Sequence, residues 1–337
     1  MKVLIIKLSS IGDVIHTLPS LYALREGLGK KARIDWLVEE AASSVLAGHP
    51  LIDNVIVVKR GWASHLRENL KTAGEIAAER YDIVIDFQGL LKSGVWVALT
   101  RGRRKIGFSN SREMSPLFYN EKLPPFDIER HAVNRYLDLA YHAGGRVGEV
   151  VFTLKAGGNA RKRAIAKLKE AGFSDKDGFF AIIPRARWAT KLWDDRMFVE
   201  AAKKISADTG LIPLLIGGLS DERALDEMRS AIGGRAASLA GKTNLLELAE
   251  VLRLSRCVVT VDSGPMHLAA AVGARVVALF GPTAANRTGP YGAGHRVVRK
   301  GLACSPCFKR SCSDVRCMKE ITVDEVVKAV EEVLKGR

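Results

Sequence analysis

The sequence predicts two parallel α/β domains that face each other across a cleft. At its start the short apolar run 3–6 ends at a turn, and Asp13 then opens a helical pattern, which makes a strand–turn–helix unit. Strand patterns go on alternating with helical patterns in both halves of the chain, as in parallel sheets. A length of 337 residues with 47% hydrophobic and 26% charged side chains is enough for two domains with full cores.

In the first half, buried strands are predicted where apolar, β-branched runs are bounded by turn residues. These strands lie at 3–6, 34–38, 55–58, 82–86 and 105–108, with helices from Asp13 and at 65–80 and 130–142. A Gly-containing turn, 87–93, follows the fourth strand, and 111–120 is expected to be a loop. Ligands of open α/β sheets bind outside the carboxyl ends of the strands, so the turns after the first and fourth strands are candidate sites.

A small, polar stretch at 154–159 is expected to link the two domains. Strands follow at 179–183, 211–216, 258–261 and 275–280, the last being the final clear strand, and helices at 160–171, 196–207 and 323–334. Between them, Ser263 and Gly264 open a helix whose N–H groups can bind an anion. Lys191 and Arg187 of a basic loop can neutralise a diphosphate, and Glu222 after a strand end can bind a ribose. Together these residues indicate a nucleotide-diphosphate site.

The local sequence allows two interpretations of the role of Asp13. Aspartate is a preferred helix N-cap, and it can equally be a working carboxylate at the carboxyl edge of the sheet. His267, on a helix of small residues, is either a buried histidine with satisfied hydrogen bonds or part of the site. The chain contains no complete GxGxxG, so a nicotinamide-binding enzyme is unsupported.

The formal charge of +15 indicates a polyanionic partner, whether nucleic acid, an anionic membrane surface or a phosphorylated substrate. Part of the charge is concentrated in the run 101–105. Nucleic acid is the weaker choice, since the sequence carries no zinc finger, RNA-recognition signature or aromatic-rich basic repeat. Lys7 interrupts the first apolar run too early for a secretory signal, and no apolar run is long enough to span a membrane, so a cytoplasmic protein is expected.

Four of the five cysteines share one loop, with the spacing C-x2-C-x4-C-x4-C from Cys304 through Cys307 and Cys312 to Cys317. The spacing could hold a metal ion or two disulfides. Disulfides are disfavoured in a cytosolic chain, and no histidine or second CxxC supports a metal. We therefore expect no metal site.

Five motifs carry a resemblance to a known family: KLSSIGDVIHTLPSL, VIDFQGLLKS, TKLW, VDSGPMHLAAA and ALFGPT. In this order and spacing they resemble glycosyltransferase family 9, the lipopolysaccharide core heptosyltransferases. The first half looks most like heptosyltransferase I, and the cysteine loop more like heptosyltransferase II. The resemblance implies a GT-B fold, with an acceptor domain at 1–155, a nucleotide-sugar domain at 160–320 and a terminal helix at 321–337 that crosses back to the first domain.

The resemblance also implies the chemistry: inverting, metal-independent and cofactor-free transfer of heptose from ADP-heptose to Kdo-lipid A. Asp13 would be the general base, and Lys191 would stabilise the charge on the departing ADP. Donor-binding residues would be Arg187, Thr190, Glu222, Asp262, Ser263, Gly264 and His267. Acceptor-binding residues would be Ser10, Gly12, Gln88, Lys92, Arg103, Arg104 and Arg112.

The implied location is peripheral, on the cytoplasmic face of the inner membrane, where basic charge meets anionic lipid. The sequence leaves three alternatives open. The protein could transfer a second heptose, or another sugar, to a related acceptor. It could be a non-catalytic nucleotide-sugar-binding protein, which would not need Asp13. It could also be a basic nucleic-acid binder, which would need none of the donor motifs.

Overall fold

The computed structural model describes residues 1–61, 64–154 and 158–336, and the chain divides into two units, Met1–Lys155 and Ala156–Arg337. The predicted link at 154–159 falls mainly on 155–157, outside the described residues. Gly158 and Asn159 belong to a helix, so these two residues of the predicted link are not irregular.

The first unit is a parallel six-stranded sheet with helices. Its strands are β1 (Lys2–Ile6), β2 (Arg33–Glu39), β3 (Asn54–Val58), β4 (Ile83–Asp86), β5 (Arg104–Phe108) and β6 (Glu121–Leu123). Its helices are α1 (Ile11–Leu28), α2 (Glu40–Ser43), α3 (Leu66–Ala78), α4 (Leu91–Leu99) and α5 (Ala132–His142). β1 and β4 are almost wholly buried because helices cover the sheet, which is why they read as continuous apolar runs.

The second unit repeats the plan. Its strands are β7 (Phe179–Ile183), β8 (Ile212–Leu215), β9 (Ala237–Ser238), β10 (Val258–Val261), β11 (Val276–Phe280) and β12 (Arg296–Arg299). Its helices are α6 (Gly158–Glu170), α7 (Asp195–Thr209), α8 (Glu222–Ile232), α9 (Leu245–Leu254), α10 (Gly264–Ala271), α11 (Ala285–Thr288), α12 (Arg316–Lys319) and α13 (Val323–Lys335).

The strand order fixes where a ligand can bind in each unit. The first sheet runs β3-β2-β1-β4-β5-β6 and the second β12-β11-β10-β7-β8-β9, with all registered pairs parallel. The order therefore reverses between β1 and β4 and again between β7 and β10. Such a switch point opens a crevice at the carboxyl ends of the two strands beside it. Two sites are thus indicated, one after β1 and β4 and one after β7 and β10.

Some short elements escaped prediction. β6, β9 and β12 have two to four residues each and lie at or next to sheet edges, too short for a periodic signal. The segment 111–120, expected to be a loop, contains a 3-10 turn at Ser115–Phe118. None of the helices in the described ranges is long and apolar enough to cross a membrane.

The terminal helix α13 packs within the second unit, against α7, β11 and β12. Its apolar stripe explains this packing, since Val326, Val330 and Val333 share one face and are buried. The predicted crossing of this helix to the first domain stays a prediction.

Candidate active site

A pocket of about 260 Å³ lies at the switch point of the first unit, and we call it the carboxylate pocket. Loops after β1, β4 and β5 and one face of α5 line it. The lining residues are Lys7, Asp13, Asp86, Phe87, Gln88, Gly89, Leu90, Phe108, Ser111, Arg112, Phe126, Arg135, Tyr136 and Leu139.

Asp13 lies in the first turn of α1, three residues after the N-cap, which is Ser10. The N-cap reading of Asp13 is therefore wrong by three positions, although the side chain does bond to the cap. The Ser10 N–H and the Ser10 hydroxyl both donate to Asp13 Oδ2, each over 2.9 Å. This carboxylate lines the pocket and stays partly exposed. Gly12 is buried within the same turn. Asp13 is thus held in place and still accessible to a ligand.

Lys7, which follows β1, is a site residue that the sequence analysis missed. Its Nζ donates to the Phe87 carbonyl oxygen over 2.9 Å and to the Tyr136 hydroxyl over 2.7 Å. Burial lowers the pKa of Lys7, but the neighbouring Tyr136 and Asp13 more than offset it, so the pKa is raised overall. The pocket therefore contains a buried cation beside Asp13. The signal was present in the sequence as a lysine at the end of an apolar strand.

Asp86, at the end of β4, organises the turn that follows it. Its Oδ1 accepts from the N–H groups of Gln88 (2.8 Å) and Gly89 (3.1 Å). Its Oδ2 accepts from the hydroxyls of Ser93 (2.8 Å) and Tyr119 (2.7 Å). Burial raises the pKa of Asp86, and these four donors oppose the rise. Gly89 has a φ of +65°, a conformation that suits glycine. Asp86 therefore holds together the turn that forms this wall of the pocket.

Replacing Asp86 by Ala is expected to lower the free energy of unfolding of the first unit by about 3 kcal/mol, because it leaves buried donors without an acceptor. Urea unfolding followed by fluorescence or circular dichroism measures this. The matched control is Asp82→Ala, whose side chain is 56% exposed and accepts from the Lys2 N–H over 2.7 Å at the surface; its effect should be about 1 kcal/mol. Equal midpoints for the two variants would contradict the assignment.

Two predicted acceptor residues hold the Ser9–Ser10 turn. The Gln88 Oε1 accepts from the Ser9 N–H over 3.1 Å. Lys92 donates to the Ser9 hydroxyl over 2.8 Å and to Glu39 at the end of β2 over 2.6 Å. Gln88 lines the carboxylate pocket, whereas Lys92 and Glu39 stand behind the turn. Gln88 and Lys92 thus hold in place the turn that carries Asp13.

The structure separates the three predicted acceptor arginines. Arg112 is exposed and lines the pocket. Arg103 and Arg104 precede and begin β5, and Arg104 pairs in register with Ile83 at the start of β4. In a parallel sheet that is the amino edge, opposite the pocket. Arg104 is also engaged by Glu121, over 2.7 and 2.8 Å. The structure therefore does not bring Arg103 and Arg104 to the carboxylate pocket, because the predicted basic run lies at the wrong end of its strand.

In the second unit, Lys191 and Asp262 meet at the switch point. Lys191 ends a 3-10 turn after β7, and its Nζ lies 2.6 Å from Asp262 Oδ2. The Thr283 hydroxyl, after β11, donates to the same oxygen over 2.6 Å. The Lys191 ammonium also lies 4.6 Å from the centre of the Trp188 ring. Asp262 thus joins three loops and orients the lysine.

Ser263 caps α10 next to this pair. Its Oγ is buried and has no hydrogen-bond partner among residues 1–61, 64–154 and 158–336. An unpaired buried hydroxyl beside the first N–H groups of a helix, with a lysine close by, matches what a phosphate group requires. Gly264 begins the helix, and His267 is 9% exposed within it. We call Lys191, Asp262, Ser263 and Gly264 the anion site.

The other predicted donor residues are placed less directly. Thr190 is buried, and its hydroxyl donates to the Lys309 carbonyl over 2.9 Å, so its side chain is turned to the loop behind Lys191. Arg187 is exposed on the loop that leads to Lys191. Glu222 is exposed at the start of α8, after β8 at the same carboxyl edge of the sheet. The nearby Trp193 is a core residue, since its indole N–H donates to the Ile321 carbonyl over 3.0 Å.

The cysteine loop supports the anion site from behind. Its four thiols are free and line one small pocket together with Thr190 and Pro282. The Ser305 hydroxyl donates to the Gly281 carbonyl over 2.6 Å, and the Phe308 N–H to the Pro282 carbonyl over 2.8 Å. Within the described part of the chain, no three His, Cys, Asp or Glu side chains are arranged to hold a metal ion. The observed contacts of this loop are structural, since they hold the neighbouring segments of the anion site in place.

Solved structures share this architecture. A glycosyltransferase family 9 protein from Veillonella parvula superposes with a TM-score of 0.87 at 23% identity, covering 100% of this chain and 98% of that one. Escherichia coli heptosyltransferase WaaC with ADP superposes with a TM-score of 0.81 at 27% identity, covering 99% of this chain and 100% of that one. The predicted fold class is confirmed: the protein has the α/β fold of the GT-B glycosyltransferases, with two Rossmann-like units.

Sequence comparison then identifies the family. The model of glycosyltransferase family 9 (heptosyltransferase) matches residues 70–317. Lipopolysaccharide heptosyltransferase 1 of Pseudomonas aeruginosa is 31% identical over 334 residues, which cover 93% of this chain and 88% of the relative. The chain belongs to glycosyltransferase family 9, as its motifs predicted, and it is a glycosyltransferase.

Proposed function

We propose that this enzyme transfers L-glycero-D-manno-heptose from ADP-heptose to Kdo-lipid A in lipopolysaccharide inner-core synthesis, with inversion and without a metal ion. The observation that carries the proposal is Asp13, an accessible carboxylate fixed by Ser10 in a pocket at the switch point. An inverting displacement needs one such base. The 31% identical Pseudomonas relative, a lipopolysaccharide heptosyltransferase 1, supports heptose transfer in lipopolysaccharide synthesis, and the Escherichia coli heptosyltransferase structure with ADP supports an ADP-linked donor.

The reaction is a single displacement. Asp13 takes the proton of the acceptor hydroxyl while that oxygen forms a bond to the anomeric carbon of heptose. The bond from this carbon to the β-phosphate oxygen breaks, and ADP leaves with the electron pair. Lys191 and the N–H groups at the start of α10 bind the diphosphate and stabilise its growing charge, which is the work a metal ion does in other transferases.

The test is ADP release from purified protein given ADP-heptose and Kdo2-lipid A. We expect release that depends on the acceptor and that stops when the acceptor is left out. Release only with a heptosylated acceptor would show transfer of the second heptose instead. ADP binding without release on either acceptor would indicate a non-catalytic nucleotide-sugar-binding protein.

We also propose a peripheral location on the cytoplasmic face of the inner membrane, and the same assay tests the membrane association that this location requires. The net charge of +15 favours an anionic surface. Release should be faster with the acceptor in anionic vesicles than in neutral ones, and salt should remove the difference. Equal rates in the two kinds of vesicle would contradict membrane association.

A further inference from the structure

The ammonium group of Lys7 is enclosed in the first unit, and the displacement described above gives it no task. Lys7 is 1% exposed. Taking an ammonium group out of water costs roughly several kcal/mol, which hydrogen bonds and opposite charges must offset. Here the Phe87 carbonyl and the Tyr136 hydroxyl accept its protons over 2.9 and 2.7 Å. The ammonium group also lies 4.3 Å from the centre of the Tyr136 ring, and neither hydrogen-bond acceptor carries a formal charge.

Asp13 and Asp86 line the same pocket as Lys7, and their negative charges favour the charged form of the lysine and so raise its pKa. Asp86 already accepts from four donors of its own turn. Asp13 lines the pocket. Helix α1 carries Asp13 and packs along α5, the helix that carries Tyr136. The titratable and charged groups around Lys7 in this pocket are Asp13, Asp86, Arg112, Arg135 and Tyr136.

We propose that Lys7 is a positioning residue for the transfer: its ammonium group, held by Phe87 and Tyr136, keeps Asp13 ionised and ready to accept the acceptor proton. The inference rests on the proposed function, in which Asp13 is the base. A carboxyl group in a partly closed pocket favours its neutral form, and a neutral carboxyl cannot take a proton. A fixed cation nearby reverses that preference. Tyr136 fixes the cation from a helix that is far along the chain.

The test is the pH dependence of kcat for the wild type, Lys7→Met, Lys7→Arg and Tyr136→Phe. Asp13 can accept a proton only above its pKa, which sets the acidic limb of the profile. Loss of the Lys7 cation should raise this pKa and move the limb to higher pH. At a pH below both limbs, Lys7→Met should therefore lose about tenfold in activity for each unit that the limb moves, and above both limbs the shift should cost no activity. Lys7→Arg keeps the charge and should keep the limb. Tyr136→Phe should move it in the same direction as Lys7→Met, by less.

The matched control is Lys71→Met on α3, whose side chain is 80% exposed and which should leave the profile unchanged. A Lys7→Met variant with uniformly lower activity and an unmoved limb would reduce Lys7 to a structural role. If Lys7→Met does not fold, Tyr136→Phe decides, and an unmoved limb there overturns the inference. Asp13→Asn separates the two claims: if it stays active the proposed base fails, and if it is inactive an unmoved limb in the lysine variants refutes only the role of Lys7.

Discussion

Replacing Asp13 by Asn is expected to lower kcat by about 10²–10⁴-fold and to leave the fold in place. The asparagine side-chain oxygen can still accept from the Ser10 N–H and hydroxyl, so the bonds that close the first turn of α1 persist. What disappears is the negative charge and the capacity to take a proton. Helix stability should fall by only about 0.3–1 kcal/mol, the usual value of a carboxylate near a helix N-terminus.

Asp194→Asn is the matched control. Asp194 caps α7, and its Oδ1 accepts from the Arg196 N–H over 2.8 Å. The substitution and the helix-end location are the same, but this residue lies outside the carboxylate pocket. Turnover should be unchanged in Asp194→Asn and nearly absent in Asp13→Asn when ADP release is measured at saturating substrates. Near-normal turnover in Asp13→Asn would leave the residue with its helix-end role alone.

The location of Asp13 could be predicted because the strand, the turn and the helix that place it are local. A buried strand, a serine-rich turn and a largely buried helix follow one another within 28 residues, and Ser10 and Asp13 are three positions apart. The same is true of Ser263 and Gly264, which follow a buried strand directly. Once such a strand is recognised in the sequence, the turn after it is placed at the ligand-binding edge, because the carboxyl ends of parallel strands share one edge of the sheet.

The burial of Lys7 could not be predicted in this way. Its hydrogen-bond partner Tyr136 is 129 positions away, so no local window contains the pair. Thr190 shows the same limit, because it turns to Lys309, 119 positions further on. Arg103 and Arg104 are a different case. Their charge was noticed, but not their place at the amino end of β5, which a parallel sheet puts on the far edge from the pocket.

Replacing Lys191 by Met is expected to lower kcat by about 10²–10³-fold, because the charge on the departing diphosphate loses a positioned cation. The Lys191 ammonium group has three N–H donors, and its Nζ lies 2.6 Å from Asp262 Oδ2. The variant has a second consequence. Asp262 is 5% exposed, and without the lysine its negative charge keeps the Thr283 hydroxyl as a hydrogen-bond donor but loses its paired cation. Breaking such a pair costs about 3–5 kcal/mol of stability, so the loss of turnover alone is ambiguous.

The double variant Lys191→Met with Asp262→Asn separates the two effects. Removing the carboxylate charge relieves the unpaired aspartate, so the thermal midpoint should recover most of its loss, whereas kcat should stay low. Lys191→Arg, which keeps the charge, should retain more turnover than Lys191→Met. Lys204→Met, in the same unit on a surface pair with Asp324, serves as the matched control and should change neither quantity. If the double variant regains turnover along with stability, Lys191 acts by neutralising Asp262, and the cation that assists ADP departure must be sought elsewhere in the anion site.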